Sequence, residues 1–281
     1  MRTFFQEFLI LFFPAVAVRL DFARVTFLDK EVFTDLPEGS RRELDVVAQV
    51  YTLDGAPELI LVHIEVQAQK TREFPYRMFE YYALLRLRYK LPVLPVVVYL
   101  SAGTGGLSAA TYEETLFGQT ILTFRFHGVG LPDLSADDYR EADNPLAPAL
   151  SALMQPSALG RTLQKALSLR RTLTSSLDEA RKSLLLNIIE TYLPLSEAEE
   201  TEFQRLISQE QLQGVTHMLT VYEERGILKG KRDALLKLLQ YKFGEVSEAI
   251  AAKIHAIDTE AELDALLERV LTANTLADMG F

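Results

Sequence analysis

The stretch ELDVVAQVYTLDGAPELILVHIEVQ, residues 43–67, decides the fold class. From Glu43 to Tyr51 the pattern alternates, with Leu44, Val46, Ala48 and Val50 on one face of an expected strand. Glu43, Asp45, Val47, Gln49 and Tyr51 fall on the other. Asp54-Gly55 supplies a turn, and a second strand runs from Leu59 to Gln67. Its even positions (Ile60, Val62, Ile64, Val66) are wholly apolar, while its odd positions run Leu59, Leu61, His63, Glu65, Gln67. Pairing about the turn brings Asp45, Glu65 and Gln67 to one sheet face. Working outward, residues 75–89 read as a helix, and Val93 to Leu100 as an apolar strand buried on both sides. The order hairpin, helix, strand predicts a third strand beside the hairpin with the helix packed across the sheet.

Two carboxylates a few ångströms apart make a hard, oxygen-rich pocket suited to Mg²⁺, with Mn²⁺ as a substitute. Such a metal polarises a phosphodiester oxygen and acidifies a bound water. The alternation alone leaves a second reading open, because a hairpin's solvent face ordinarily carries Asp, Glu and Gln.

Composition sets the outer bounds. The chain has 281 residues, 48% hydrophobic and 24% charged, which is ordinary for a globular protein of one large or two modest domains. It has no cysteine, so disulfides, thiolate zinc sites and cysteine nucleophiles are excluded. His63, His127, His217 and His255 lack ligand spacing. The net charge of −10 argues against a nucleic-acid partner, but the charge is uneven. Lys70, Arg72, Arg77, Arg86, Arg88 and Lys90 are opposed only by Glu73 and Glu80, a local basic stripe. No stretch reaches the ~18–20 apolar residues of a membrane span, so no membrane partner is expected. Phe8 to Phe13 and Ala15-Val16-Ala17 imitate a signal peptide, but Gln6 and Glu7 interrupt it and Arg2 is its only flanking cation. The helical spacing of Phe4, Phe5, Phe8, Leu11 and Phe12 predicts a buried amphipathic helix instead, and a cytoplasmic protein.

The expected organisation is a mixed α/β domain over 1–130, an acidic, proline-bearing linker over 131–150, a helical region over 151–230 and a small helical domain over 231–281. Leu212, Val215, Leu219 and Tyr222 form a short seam that ends at Gly226, too few turns for a coiled coil. Gly103-Thr104-Gly105-Gly106 and Gly230-Lys231 each lack the Lys-Ser/Thr of a phosphate loop, and the first reads as a flexible turn. Arg170-Arg171 and Arg181-Lys182 read as solvated helix faces.

Several stretches together resemble the PD-(D/E)XK nuclease superfamily, and within it the bacterial recombination-promoting nuclease and transposase-like group. They are FLDKE at 27–31, ELDVVAQV at 43–50, LILVHIEVQ at 59–67, FPYRMFEYYALLRLRY at 74–89 and LPVLPVVVYL at 91–100. The tail LLKLLQYKFGEVSEAI at 235–250 is similar to a small helical domain often attached to these proteins. The resemblance implies a restriction-endonuclease-like mixed sheet flanked by helices, followed by an all-α C-terminal half. It further implies a Mg²⁺-dependent DNA endonuclease serving recombination or a mobile element. Asp45 and Glu65 match the two metal-binding acids. Gln67 stands where the superfamily usually has a lysine, and its amide can still orient water by hydrogen bonds. Glu31 corresponds to an upstream acid of some members, and Lys70 is a second source of positive charge. Arg77 and Tyr81, one helical turn apart, match helix residues near the site or the DNA, with a surface arginine and a core tyrosine as the plainer alternative. Lys70, Arg72, Arg77, Arg86 and Arg88 are the expected phosphate contacts, which carry little sequence selectivity. Two competing expectations remain. One is an idle nuclease-fold binding or regulatory module; the other is an assembly protein that forms homo-oligomers through its helical half.

Overall fold

The computed structural model describes residues 1–28, 46–65, 74–208, 213–273 and 275–280; the side chains of 59, 61–65, 213–223, 225 and 277 fall outside that description. The chain divides into two compact units, Met1–Leu206 and Ile207–Phe281.

Unit 1 is built on a six-stranded mixed sheet in the order β1-β2-β3-β4-β6-β5. The strands are β1 (Leu20–Phe27), β2 (Val46–Thr52), β3 (Pro57–Glu65), β4 (Val93–Tyr99), β5 (Leu107–Leu116) and β6 (Gln119–Gly130). The expected hairpin is present, with β2 and β3 antiparallel from Val46↔Val62 to Tyr51↔Pro57. Gly55 takes a φ of 91°, as the turn demands. The Thr52 hydroxyl closes the turn by accepting from the Ala56 amide at 3.1 Å. β4 lies parallel to β3 and β6 parallel to β4. Pro95 lacks an N–H, yet it is tolerated in this central strand because β6 pairs with β4 only from Val96 onward.

The crossover from β3 to β4 is the helix α3 (Phe74–Tyr89); two N-terminal helices, α1 (Phe5–Phe12) and α2 (Pro14–Ala17), precede it. Phe74, Met78, Tyr81 and Leu85 recur at i, i+4, i+7 and i+11, which makes one apolar stripe, and all four are buried. That stripe packs with Val47, Val97, Phe124 and Phe126 from one face of the sheet. Pro75 suits the first turn, Arg86 and Arg88 sit in the last turn where they favour the helix dipole, and Lys90 ends it at a φ of 56°.

The other face is covered by α1, whose Phe5, Phe8, Leu9 and Phe12 are buried. Phe5 meets Phe27 of β1 edge-on at 5.5 Å and Phe13 meets His127 of β6 at 5.6 Å. The N-terminal apolar stretch is thus part of the fold, as its spacing predicts, with Leu9 in the buried position expected of Leu11.

Residues 131–150, expected as a linker, belong to unit 1. They carry a 3₁₀ turn at Leu131–Asp133 and two short helices, α4 (Ala136–Tyr139) and α5 (Ala147–Ser151). Leu131, Ala136, Leu146, Ala147 and Ala149 are buried there. Asn144 donates to the Glu7 carbonyl at 2.8 Å and so ties this segment to α1. Of the acidic side chains that suggested a linker, Asp138, Glu141 and Asp143 are exposed, while Asp133 and Asp137 accept hydrogen bonds from neighbouring backbone; the interleaved Leu and Ala do the packing. Three further helices follow, α6 (Arg161–Leu173), α7 (Glu179–Tyr192) and α8 (Glu197–Ile207), the last ending at the unit boundary.

Unit 2 is helical. α9 (Gln213–Phe243) is one helix of 31 residues, and it continues through Gly226 and Gly230, where the sequence suggested an interruption. Its second half packs Leu235 and Leu239 against α10 (Glu248–His255) and α11 (Glu260–Thr272) around Ile254, Leu263 and Leu266. Lys231 reaches Glu260 at 2.6 Å and Asp264 at 2.5 Å. Lys242 donates to the Val270 carbonyl in the last turn of α11 at 2.6 Å.

Candidate functional site

Parallel strands and the helix between them converge at one end of the sheet. Glu65 is the last residue of β3 and pairs in register with Tyr99, the last residue of β4. The Tyr99 ring lies 5.7 Å from that of Phe74, the first residue of α3, and the Arg77 guanidinium lies 5.0 Å from the Phe74 ring. Glu65 by register position, Tyr99, the N-terminus of α3 and Arg77 therefore share one end. This follows from the crossover, because a helix returning from a parallel strand must begin where that strand ends. Asp45, Gln67, Glu31, Lys70 and Arg72 lie outside the described residues, as does the side chain of Glu65.

Other expected residues fall elsewhere. Tyr81 is 2% exposed and sits in the core between α3 and the sheet, which matches the plainer alternative. Arg86 and Arg88 are exposed on the last turn of α3. Arg86 lies nine positions after Arg77, about 14 Å along the axis at ~1.5 Å per residue. The stripe of cations that looked continuous in sequence is therefore split between opposite ends of the sheet.

The glycine-rich turn after β4 is organised rather than loose. Asp133 accepts from the backbone amides of Gly103 (2.9 Å), Thr104 (2.5 Å) and Gly105 (2.7 Å), and from the Thr104 hydroxyl at 3.2 Å. Gly103 and Gly105 have φ of 84° and 90°, so that successive N–H groups converge in an anion-binding nest. The Gly103 amide, with those of Gly105 and Thr104, draws the Asp133 carboxyl down to about 2. Gly130 is required beside it, since a Cβ there would collide with the Thr104 hydroxyl. The nest lies at the Glu65 end of the sheet, and its anion is internal. The Gly-Thr-Gly-Gly run was the visible signal; its partner, 28–30 residues away, had none.

Arg171 and Arg181, expected on solvated helix faces, are engaged within the fold, as are Lys165 and Tyr112. Arg171 donates to the Ala142 carbonyl at 2.6 Å. Arg181 pairs with the Glu7 carboxylate and donates to the Thr3 carbonyl at 3.1 Å. Lys165, buried on α6, pairs with Glu190 at 2.6 Å. Tyr112, packed on Phe79 of α3 at 5.5 Å, donates to the Glu114 carboxylate, which pushes its hydroxyl up to about 12. Among the described residues no group of three or more His, Asp or Glu could hold a metal ion.

No family model, curated protein or solved structure matches the chain.

Proposed function

We propose that the Glu65 end of the sheet is the active site of a metal-dependent DNA endonuclease on a restriction-endonuclease-like fold. The observation that carries the reading is the succession β2–β3–α3–β4, in which an antiparallel hairpin feeds a parallel crossover. It supports the resemblance drawn from the sequence, and it gives Glu65 the strand-end position that the chemistry needs. The donor set also suits a hard cation, since Asp45 and Glu65 offer carboxylate oxygens and Gln67 an amide oxygen.

Asp45 and Glu65 would hold the ion. Mg²⁺ or Mn²⁺, when bound, supplies a Lewis acid for a phosphodiester oxygen and acidifies a water. Gln67 orients the attacking water by hydrogen bonds, in place of the superfamily's lysine. Arg77, at the N-terminus of α3, contributes positive charge beside the phosphate, and the helix dipole adds to it.

The test is nicking of supercoiled plasmid with Mg²⁺ and with Mn²⁺. Wild-type protein is expected to cleave, and Asp45→Asn or Glu65→Gln to abolish cleavage while the circular dichroism spectrum stays unchanged. Wild-type protein inert on plasmid, single-stranded and branched DNA overturns the reading in favour of an idle nuclease-fold binding module.

A further inference from the structure

At the end of the sheet opposite Glu65, an apolar hairpin apex stands beside exposed cations. β5 and β6 pair down to Leu116↔Gln119, which leaves Phe117-Gly118 as a two-residue turn. Both residues have positive φ, 53° and 76°. That is the type I′ form, which favours Asn-Gly because bulky side chains resist the left-handed region. Phe117 is also 95% exposed, so among the described residues its ring gains almost no packing to offset the strain. Leu116 and Ile121 beside it are 52% and 61% exposed. Residues 115–124 carry no charge at all. Backbone strain combined with a bare aromatic ring points to a role outside the fold.

The apex projects. β4 pairs with β6 from Val96↔His127, so Val93 is level with Phe124, and β6 extends five residues further out, about 16 Å at ~3.3 Å per residue. α3 accompanies it part of the way. Phe79 packs on Tyr112 at 5.5 Å and Tyr82 on Phe124 at 5.0 Å. Arg86 continues the same helical stripe one turn later, on the hairpin side. Lys90 follows about 12 Å beyond Tyr82, which leaves the apex standing roughly one helical turn, ~5 Å, past the end of the helix. Arg86 and Lys90 are both exposed. Further down the ribbon the charge is mixed, with Glu113 and Glu114 on β5 and Arg125 on β6, so the uncharged apex beside Arg86 and Lys90 is the part that admits a polyanion.

We propose that this apex is a DNA wedge. Phe117 enters between base steps of a duplex, and Arg86 and Lys90 hold the adjoining phosphates. An apolar side chain that unstacks a step while flanking cations grip the backbone is an established way of kinking DNA. The apolar set is confined to a ribbon two strands wide, which suits a gap between base pairs better than the broad plane of a lipid surface. The choice of DNA as the polyanion rests on the nuclease reading, but the wedge acts independently of the Asp45–Glu65 chemistry.

The chain has no tryptophan, so Phe117→Trp installs a single indole reporter at an exposed position. Binding of a 20-base-pair duplex is measured in EDTA, where no cleavage occurs. The expected results are quenching of the indole and a roughly tenfold loss of duplex affinity for Phe117→Ala, the scale of one lost aromatic–base stack. The salt dependence should be unchanged for Phe117→Ala and flatter by about one log–log unit for Arg86→Gln or Lys90→Gln. Phe117→Asn separates contact from folding, because Asn suits the turn: stability is expected to rise while affinity falls. An indole indifferent to duplex, or Phe117→Ala affinity equal to wild type, overturns the wedge. So does an indole that shifts to the blue on anionic lipid vesicles and ignores DNA, which would assign the apex to membranes. Indole quenching by DNA in the Phe117→Trp variant of a protein that never nicks plasmid removes the nuclease chemistry alone; nicking with a silent indole removes the wedge alone.

Discussion

Replacing Asp133 by Asn removes one charge and one acceptor from the nest after β4. The carboxylate serves four donors: Gly103 on one oxygen, and Thr104 N–H, Gly105 N–H and the Thr104 hydroxyl on the other. An amide has a single acceptor oxygen. With that oxygen kept on the Thr104–Gly105 side, its NH₂ faces the Gly103 N–H, donor against donor. Hydrogen bonds to an ionised group contribute ~1.5–3 kcal/mol and neutral ones about half that. Weakening three bonds and losing the fourth, with water replacing part of the loss at this half-exposed site, costs about 2 kcal/mol. For a unit of this size that lowers Tm by about 4–8 °C. The pH dependence has a definite sign. Because the folded carboxyl titrates at about 2 against an ordinary 3.8, its stabilisation is complete above the higher value and disappears as pH falls through the lower. Asn does not titrate, so the gap between wild type and Asp133→Asn should be full at pH 7, about half gone near pH 3, and closed below pH 2. Urea unfolding followed by far-ultraviolet circular dichroism at pH 7, 5 and 3 measures it. A gap under ~0.5 kcal/mol at pH 7, within the range of an ordinary surface substitution, refutes the nest as a stabilising element. So does a gap that stays constant down to pH 3.

Other outcomes follow from the same geometry. Gln67→Ala should slow cleavage by ~10²–10⁴-fold, the usual scale for a positioning group, and less than Asp45→Asn does; a wild-type rate removes Gln67 from the mechanism. Reversing both Arg86 and Arg88 to Glu should flatten the log–log salt dependence of duplex binding by about two units, and an unchanged slope moves the phosphate contacts off this helix end. Gly226→Ala and Gly230→Ala should each stabilise α9 by about 0.5–1 kcal/mol, because a Cβ at either position meets nothing within 4 Å; a lower unfolding midpoint would show that the glycines serve a contact or a bend.

What sequence by itself determined is local. The β2–β3 hairpin follows from strict alternation and Asp54-Gly55, and α3 from the Phe74–Met78–Tyr81–Leu85 stripe. α1 follows from phenylalanines at helical spacing, because each pattern concerns residues within a turn or two of one another. The strands β1, β5 and β6 were not legible as such, since Ala, Thr and Glu dilute the alternation of LSAATYEETL and its partner, and their pairing alone defines them. Tertiary structure decided everything that depends on direction and distance. The crossover reverses the chain between Glu65 and β4, so the cations of α3 separate into Arg77 near the candidate site and Arg86 with Arg88 at the far end. Folding also carried Asp133 into the Gly103–Gly105 amides and left Phe117 bare at the apex. A contact across thirty residues, or its absence, is a property of packed elements, and no window of sequence contains both partners.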